Sequence, residues 1–211
     1  MRIYELNQAT LEALRGSNIE LMVTILNNNL QALTDSAAAT DLVQKNVQPY
    51  STDVKLKYIA IGNEVHPDAV EAQYRLPAIQ NIQNAVTAAN QQGQIKVSTA
   101  IDTTLLDPSF PPSDGAFSSA TNSFITLIIT FLGNNGAPLL VNIYPYFAYI
   151  GDHANIKLEY ALFTSPGVVI QNGSNGYQNI FDAILDTHYS ALEKARAPNM
   201  AIVCIREWLA I

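Results

Sequence analysis

An α/β fold with a parallel sheet, of the (β/α)8 TIM-barrel class, is what this sequence predicts, and three observations predict it. Short runs rich in Val, Ile and Leu recur along the chain and alternate with longer segments of helical character. The runs are nearly continuous in apolar residues, as in strands buried on both faces beneath helices. Polar residues follow directly on the C-terminal ends of those runs, the face on which barrels of this class assemble their sites.

Six strands are expected: Arg2–Tyr4, Ile19–Leu26, Lys57–Glu64, Ile95–Ile101, Leu139–Tyr144 and Ala201–Ile205. Helices are expected at Ala9–Arg15 before Gly16, at Leu30–Ala39 and on toward Val47, and at Leu76–Asn90 before Gly93. Two more fall at Ser119–Leu132 before Gly133 and at Tyr177–Lys194. A glycine just past the last apolar-periodic residue is a sound helix stop. The βαβ order with long crossovers implies a right-handed parallel arrangement. Periodicity alone does not choose between an open sheet and a closed barrel. The strand-end residues Asn27, Glu64, Asp102 and the group Tyr144-Pro145-Tyr146-Phe147 favour the barrel. The first strand is not followed by a GxGxxG or GxxxxGK loop, which argues against a nucleotide-binding doubly wound sheet. Asp107–Gly115, with three prolines, reads as a surface excursion.

The chain has 211 residues, 48% of them apolar and only 14% charged, enough for one substantial core, so residues 1–211 are expected to form a single domain. Its apolar runs fall short of the roughly 20 residues of a membrane-spanning helix. Acidic residues outnumber basic ones by 18 to 11 without any Lys/Arg cluster, which argues against nucleic-acid and anionic-membrane partners. The 10 Tyr and 7 Phe, with many Asn and Gln, suit a protein that stacks on and hydrogen-bonds to neutral sugars, although such aromatics also serve as core residues. Cys204 is alone, so no internal disulfide forms, and no Cys/His spacing resembles a metal site. Neither a metal nor a cofactor is expected. No signal-type apolar region follows Met1, so the chain is either intracellular or lacks its start. Asn172-Gly173-Ser174 is a glycosylation sequon, of consequence only in a secreted protein.

Glu64 ends the run Tyr58-Ile59-Ala60-Ile61-Gly62-Asn63-Glu64-Val65, with an amide donor, Asn63, beside it. Glycosidic cleavage needs such a carboxylic acid to protonate the leaving oxygen, and a second carboxylate about 5 Å away if configuration is retained. Position alone also allows a strand-end Glu that pairs with a base or caps a helix. His66 reads as a solvated loop histidine rather than a general base.

YIAIGNEV resembles the acid-bearing signature of the plant endo-1,3-β-glucosidases, glycoside hydrolase family 17. LLVNIYPYFAYIGD, Leu139 to Asp152, is similar to that family's sixth strand and its loop. The likeness continues through MRIYELNQATLEALRGSNIELMV, QIKVSTAIDTTLL and YALFTSPGVVIQNGSNGYQNIFDAILDTHYSALEKA, from Met1 to about Val203. The resemblance implies a retaining endo-hydrolase of β-1,3-glucan, with Glu64 as acid/base at the end of the family's fourth strand. It implies that Asn63 bonds near the 2-hydroxyl of the cleaved sugar, and that Tyr4, Asn142, Tyr144 and Phe147 line the groove. Tyr146 is left between groove and packing. A monomer, secreted or vacuolar, is implied as well. The family's first strand and helix would precede Met1 and its eighth strand would lie beyond Ile211, so the barrel is expected to be incomplete.

The family's nucleophile stands in a motif of the form VVVSESGWPS, where this chain has Ile202-Val203-Cys204-Ile205-Arg206-Glu207-Trp208-Leu209-Ala210-Ile211. Aligning the strands places Glu207 on the nucleophile; aligning the tryptophans places Ile205 there, about 6 to 7 Å away along the strand. Covalent catalysis does not tolerate a displacement of that size. A single inserted nucleotide after Val203 accounts for the departure. One permissible coding string for Cys204 to Ile211, TGT ATC CGA GAG TGG CTG GCC ATC, reads VSESGWP once its first base is dropped. Three readings follow: a β-1,3-glucan hydrolase, a remnant that at most binds glucan, and an unrelated sugar-phosphate enzyme. The scarcity of basic residues at strand ends counts against the last. Sequencing these codons tests the insertion: a string that reframes to VSESGWP is expected, and one that does not reframe overturns it.

Overall fold

The computed structural model describes residues 1–206. Their elements, in chain order, are β1 (Arg2–Ile3), α1 (Gln8–Ala13), β2 (Glu20–Ile25), α2 (Ser36–Asn46) and β3 (Lys55–Asn63). There follow α3 (Ala72–Ala88), β4 (Lys96–Ile101), α4 (Ser119–Asn134), β5 (Leu139–Ile143), α5 (Pro145–Gly151) and α6 (Leu158–Ala161). The series ends with β6 (Ile170–Asn172), β7 (Asn175–Tyr177), α7 (Ile180–Lys194) and β8 (Ile202–Arg206).

All six expected strands form, each within two residues of its predicted ends. They order as β1-β2-β3-β4-β5-β8, and β1/β2, β2/β3 and β3/β4 pair in parallel. Every neighbour in that order is the next strand of the sheet in sequence. A doubly wound sheet reverses its order at a switch point, whereas a barrel does not. Continuous apolarity has the expected cause: Leu21–Ile25 of β2, Val97–Ile101 of β4 and the whole of β5 are buried at consecutive positions. Each fully buried Leu, Ile or Val contributes about 1.5–3 kcal/mol relative to exposure. The hydroxyls within this core are satisfied, Ser98 donating to the Pro138 carbonyl at 2.6 Å and Thr99 to the Ile61 carbonyl at 2.7 Å.

The chain divides into two compact units, residues 1–101 with 127–140, and residues 102–126 with the chain from 141 onward; β5 begins in the first and ends in the second. In the first unit, the segment expected as a helix from Leu30 toward Val47 is broken into a 3-10 turn at Ala32–Thr34 and α2. The break falls at Asp35, whose extended backbone and side chain cap α2 through the Ala37 amide at 2.8 Å. Helix α3 starts four residues earlier than expected and carries Pro77 inside it. The lost hydrogen bond is tolerated because Ala78, Ile79, Ile82 and Val86 seal that face. Arg75 lies on the same buried stripe.

In the second unit, Tyr160, Ala161, Tyr177, Ile180 and Ala183 form a small core. A hairpin, β6/β7, stands where the sequence predicts no strand, and Tyr177 belongs to it rather than to α7. Asn179 caps α7 instead, accepting from the Asp182 amide at 2.9 Å. Asp107–Gly115 is a largely exposed loop, as expected, but its C-terminal half is anchored. Lys194 donates to the Ser113 and Gly115 carbonyls at 3.0 and 2.9 Å, and the Asn172 side chain accepts from the Ser113 amide at 2.8 Å. A Cβ at Gly115 would lie 2.3 Å from the Thr187 carbonyl oxygen, so only glycine fits against α7 there.

His188, on α7, is fully buried, with Nδ1 2.9 Å from the Ile184 carbonyl. Burial holds its pKa below the ordinary histidine value, partly opposed by the Ile184 carbonyl and by Asp102. The unfolded chain therefore binds a proton at higher pH than the folded one. This contribution to stability is complete above about pH 6.5 and is lost as pH falls below it, toward the depressed folded value. Urea midpoints measured from pH 7.5 to pH 5 should fall, and His188→Phe should flatten that slope; an unchanged slope in the variant contradicts the assignment.

Candidate active site

The site is built where β3 stops being a strand. Ala60 faces Ser98 on β4 and Asn63 faces Ala100, so three steps along β3 match two along β4. The extra residue makes a β-bulge across Ile61 and Gly62, a device that re-aims the side chains that follow. Gly62 takes the left-handed region at φ +74°. A Cβ on it would lie 3.0 Å from Val65 Cγ2 and 3.2 Å from both Asn27 Oδ1 and Leu30 Cδ1. Glu64 is also left-handed, at φ +51°, which costs a non-glycine residue about 1–2 kcal/mol. Its amide donates to the Ala100 carbonyl at 3.0 Å, and its side chain is half-buried.

Asn27, just past β2, holds the bulge by acting as a substitute strand. Its Oδ1 accepts from the Asn63 amide at 2.8 Å and its Nδ2 donates to the Asn63 carbonyl at 2.9 Å. Arg2 reaches across from β1, donating from Nη2 to Asn63 Oδ1 at 2.6 Å and from Nε to Thr24 Oγ1 at 3.0 Å. Because a guanidinium only donates, the oxygen of the Asn63 amide faces Arg2 and its NH2 points the other way. The same guanidinium covers the Tyr4 ring, 4.4 Å from its centroid. Tyr4, Asn63 and Glu64, expected together from sequence, are thus linked within the first unit.

The remaining expected residues lie in the second unit. Asn142 is a fully buried amide on β5. Tyr144 is the half-buried residue preceding α5, and Phe147, about half exposed, meets it edge-on at a centroid distance of 5.3 Å. Tyr146, equally exposed, tilts against Phe147 at 5.6 Å, so it continues the same aromatic surface. His66 lies in the loop after Glu64. Asp102 is a cap, accepting from the Thr104 amide at 3.0 Å. Glu207 lies outside the described residues. Arg2 and Asn27 were not singled out from sequence as site residues, although Asn27 was legible as polar at a strand end.

Among the described residues no group of three or more His, Cys, Asp or Glu side chains could hold a metal ion, and no helix is long and apolar enough to cross a membrane. A parallel sheet whose strands follow one another in sequence, with a carboxylate lifted off a strand end beside an oriented amide, is the arrangement of a (β/α)-barrel-type α/β protein.

The family model of glycosyl hydrolases family 17 matches residues 1–207, and the chain belongs to that family. It is 56% identical over 207 residues to a glucan endo-1,3-beta-glucosidase of Vitis vinifera, covering 96% of this chain and 60% of the relative. A glucan endo-1,3-beta-glucosidase of Pisum sativum is 53% identical over 197 residues, or 92% of this chain and 53% of the relative. The chain therefore spans a little over half the length of these relatives. Among solved structures, CJP38, a beta-1,3-glucanase and allergen of Cryptomeria japonica pollen, superposes with a TM-score of 0.93 at 40% identity, over 100% of this chain and 67% of that one.

The geometry at Gly62 carries a stability prediction. Gly62→Ala combines a left-handed backbone with a crowded Cβ and should lower unfolding stability by about 1–3 kcal/mol in urea titrations. Loss of less than about 0.3 kcal/mol would show that the turn is not constrained as described.

Proposed function

We propose that the chain carries the acid/base half of a retaining endo-hydrolase of β-1,3-glucan. The observation that carries the reading is the placement of Glu64 by the β3 bulge, beside an amide whose NH2 faces away from Arg2, in a member of family 17. In the first step the Glu64 carboxyl donates its proton to the glycosidic oxygen as the bond to the anomeric carbon breaks. In the second, its carboxylate takes a proton from the water that releases the glycosyl group from the nucleophile. Asn63 Nδ2 donates to the 2-hydroxyl, a hydrogen bond that strengthens as the oxocarbenium-like transition state forms. Tyr4, stiffened by Arg2, stacks on a glucose ring face, and in the second unit the Tyr144–Phe147 pair offers a further stacking surface for glucose rings. Glu207 is the local candidate for the nucleophile.

Neutral recognition by ring faces and amides fits a polymer without charge and a protein of net charge −7. No metal or cofactor has a part in this mechanism. A monomer in the vacuole or outside the cell goes with the reading, as does one domain across residues 1–211.

Reducing-sugar release from a linear β-1,3-glucan, with product sizes followed over time, tests the proposal. Internal cleavage is expected, and Glu64→Gln should lower kcat/KM by about 10²- to 10⁴-fold while leaving the fold intact. Hydrolysis that survives Glu64→Gln removes the acid assignment. Glucan binding without turnover by the unmodified chain supports instead a binding remnant.

A further inference from the structure

Arg75, the fourth residue of α3, has 0% exposure and is among the largest fully buried side chains of the protein. Its guanidinium donates from Nε to Thr99 Oγ1 at 2.7 Å, from Nη1 to the Val65 carbonyl at 3.0 Å and from Nη2 to the Ala100 carbonyl at 3.1 Å. The Thr99 hydroxyl passes the contact on, donating to the Ile61 carbonyl at 2.7 Å. The Ala100 carbonyl also accepts the Glu64 amide. Ile61, Val65 and Ala100 are, in turn, part of the bulge, the residue after Glu64 and the β4 partner of Asn63. One rigid fork of donors thus touches the backbone ahead of Glu64, behind it and across from it.

Burying a guanidinium is expensive, and an apolar side chain of similar volume usually suits such a position on a core-facing helix stripe as well or better. What Arg offers that Leu or Met does not is a planar set of N–H groups in fixed directions. Here all three named acceptors belong to the segment that displays Glu64 or to the strand it pairs with. The left-handed backbone of Glu64 is intrinsically unfavourable and persists only where its surroundings over-determine it.

We propose that Arg75 is a positioning residue for Glu64: through the Val65 and Ala100 carbonyls, and through Thr99 to Ile61, it locks the turn that aims the carboxyl. It touches no substrate. Its effect on catalysis rests on the reading of Glu64 as the acid; its effect on the turn does not.

The full chain is compared with Arg75→Met, Arg75→Lys and Thr99→Val by two readouts. The first is amide hydrogen exchange at Glu64, with Ile59 and Val97 in the middle of β3 and β4 as internal controls. Arg75→Met should speed exchange at Glu64 by about tenfold or more while the controls change by less than about twofold. Arg75→Lys, a point charge on a flexible stem, should fall between, and Thr99→Val should give about a threefold effect. The second readout is kinetic on linear β-1,3-glucan: kcat should fall about tenfold in Arg75→Met with KM within about twofold. Equal acceleration at Glu64 and at the controls, or none at Glu64, overturns the proposal, as does an unchanged kcat in Arg75→Met. If the unmodified chain hydrolyses no glucan, the kinetic readout falls away and the exchange data alone decide on Arg75. If Arg75→Met does not fold, Arg75→Lys and Thr99→Val decide.

Discussion

One constraint organises the first unit of this protein: a strand whose end segment, Ile59 to Ile61, is buried gives way within three residues to a half-buried carboxylate. Regular strand geometry cannot do this for β3, because Ile59, Ala60 and Ile61 are all buried and the next residue in register would continue into the same core. The extra residue at Ile61–Gly62 and the left-handed turns at Gly62 and Glu64 break the register at the point of need. Backbone groups released from the ladder must find partners, and Asn27, Thr99, Arg75 and the Ala100 carbonyl supply them. The density of side chain-to-backbone hydrogen bonds here is a consequence of that break.

The arrangement separates two tasks. Packing against the β2 and β4 neighbours makes β3 rigid, and the bulge then converts rigidity into direction. Arg2 ties the turn to Tyr4, since the same guanidinium orients the Asn63 amide and covers the Tyr4 ring. Losing Arg2 would release both at once. In the second unit, the Tyr144–Phe147 pair is set by a different device, a helix that begins at Pro145 immediately after β5 and turns the aromatic run outward.

The strands were legible because burial on both faces leaves a plain signature, apolar runs interrupted in β2 and β5 by one polar residue each and in β4 by Ser98 and Thr99. Glu64 stands out by its place directly after such a run and by the YIAIGNEV resemblance together, since position alone also fits a glutamate that pairs with a base or caps a helix. Helix boundaries were less so, for local reasons: Pro77 hid the first turn of α3, and Asp35 interrupted what composition reads as one helix. The β6/β7 hairpin is only three residues to a strand, too short for an alternation to register. The loop at Asp107–Gly115 is exposed as its composition suggests, and what composition does not show is that Lys194 and Asn172, residues far along the chain, tie it down. Arg2 escaped notice because its value lies in contacts 22 and 61 residues away. Arg75 could have been found, since it shares a helical stripe with Ile79, Ile82 and Val86 and is the one charge on it.

The central claim is that the turn after β3 aims Glu64 at a scissile glycosidic bond. A crystal structure of the full chain bearing Glu64→Gln, with a β-1,3-linked glucose oligosaccharide bound, tests it most directly. A side-chain atom of residue 64 should lie about 2.6–3.2 Å from a glycosidic oxygen, with the Asn63 amide on the 2-hydroxyl of the adjoining sugar. An oligosaccharide bound with its glycosidic oxygens all beyond about 5 Å from that side chain would contradict the account.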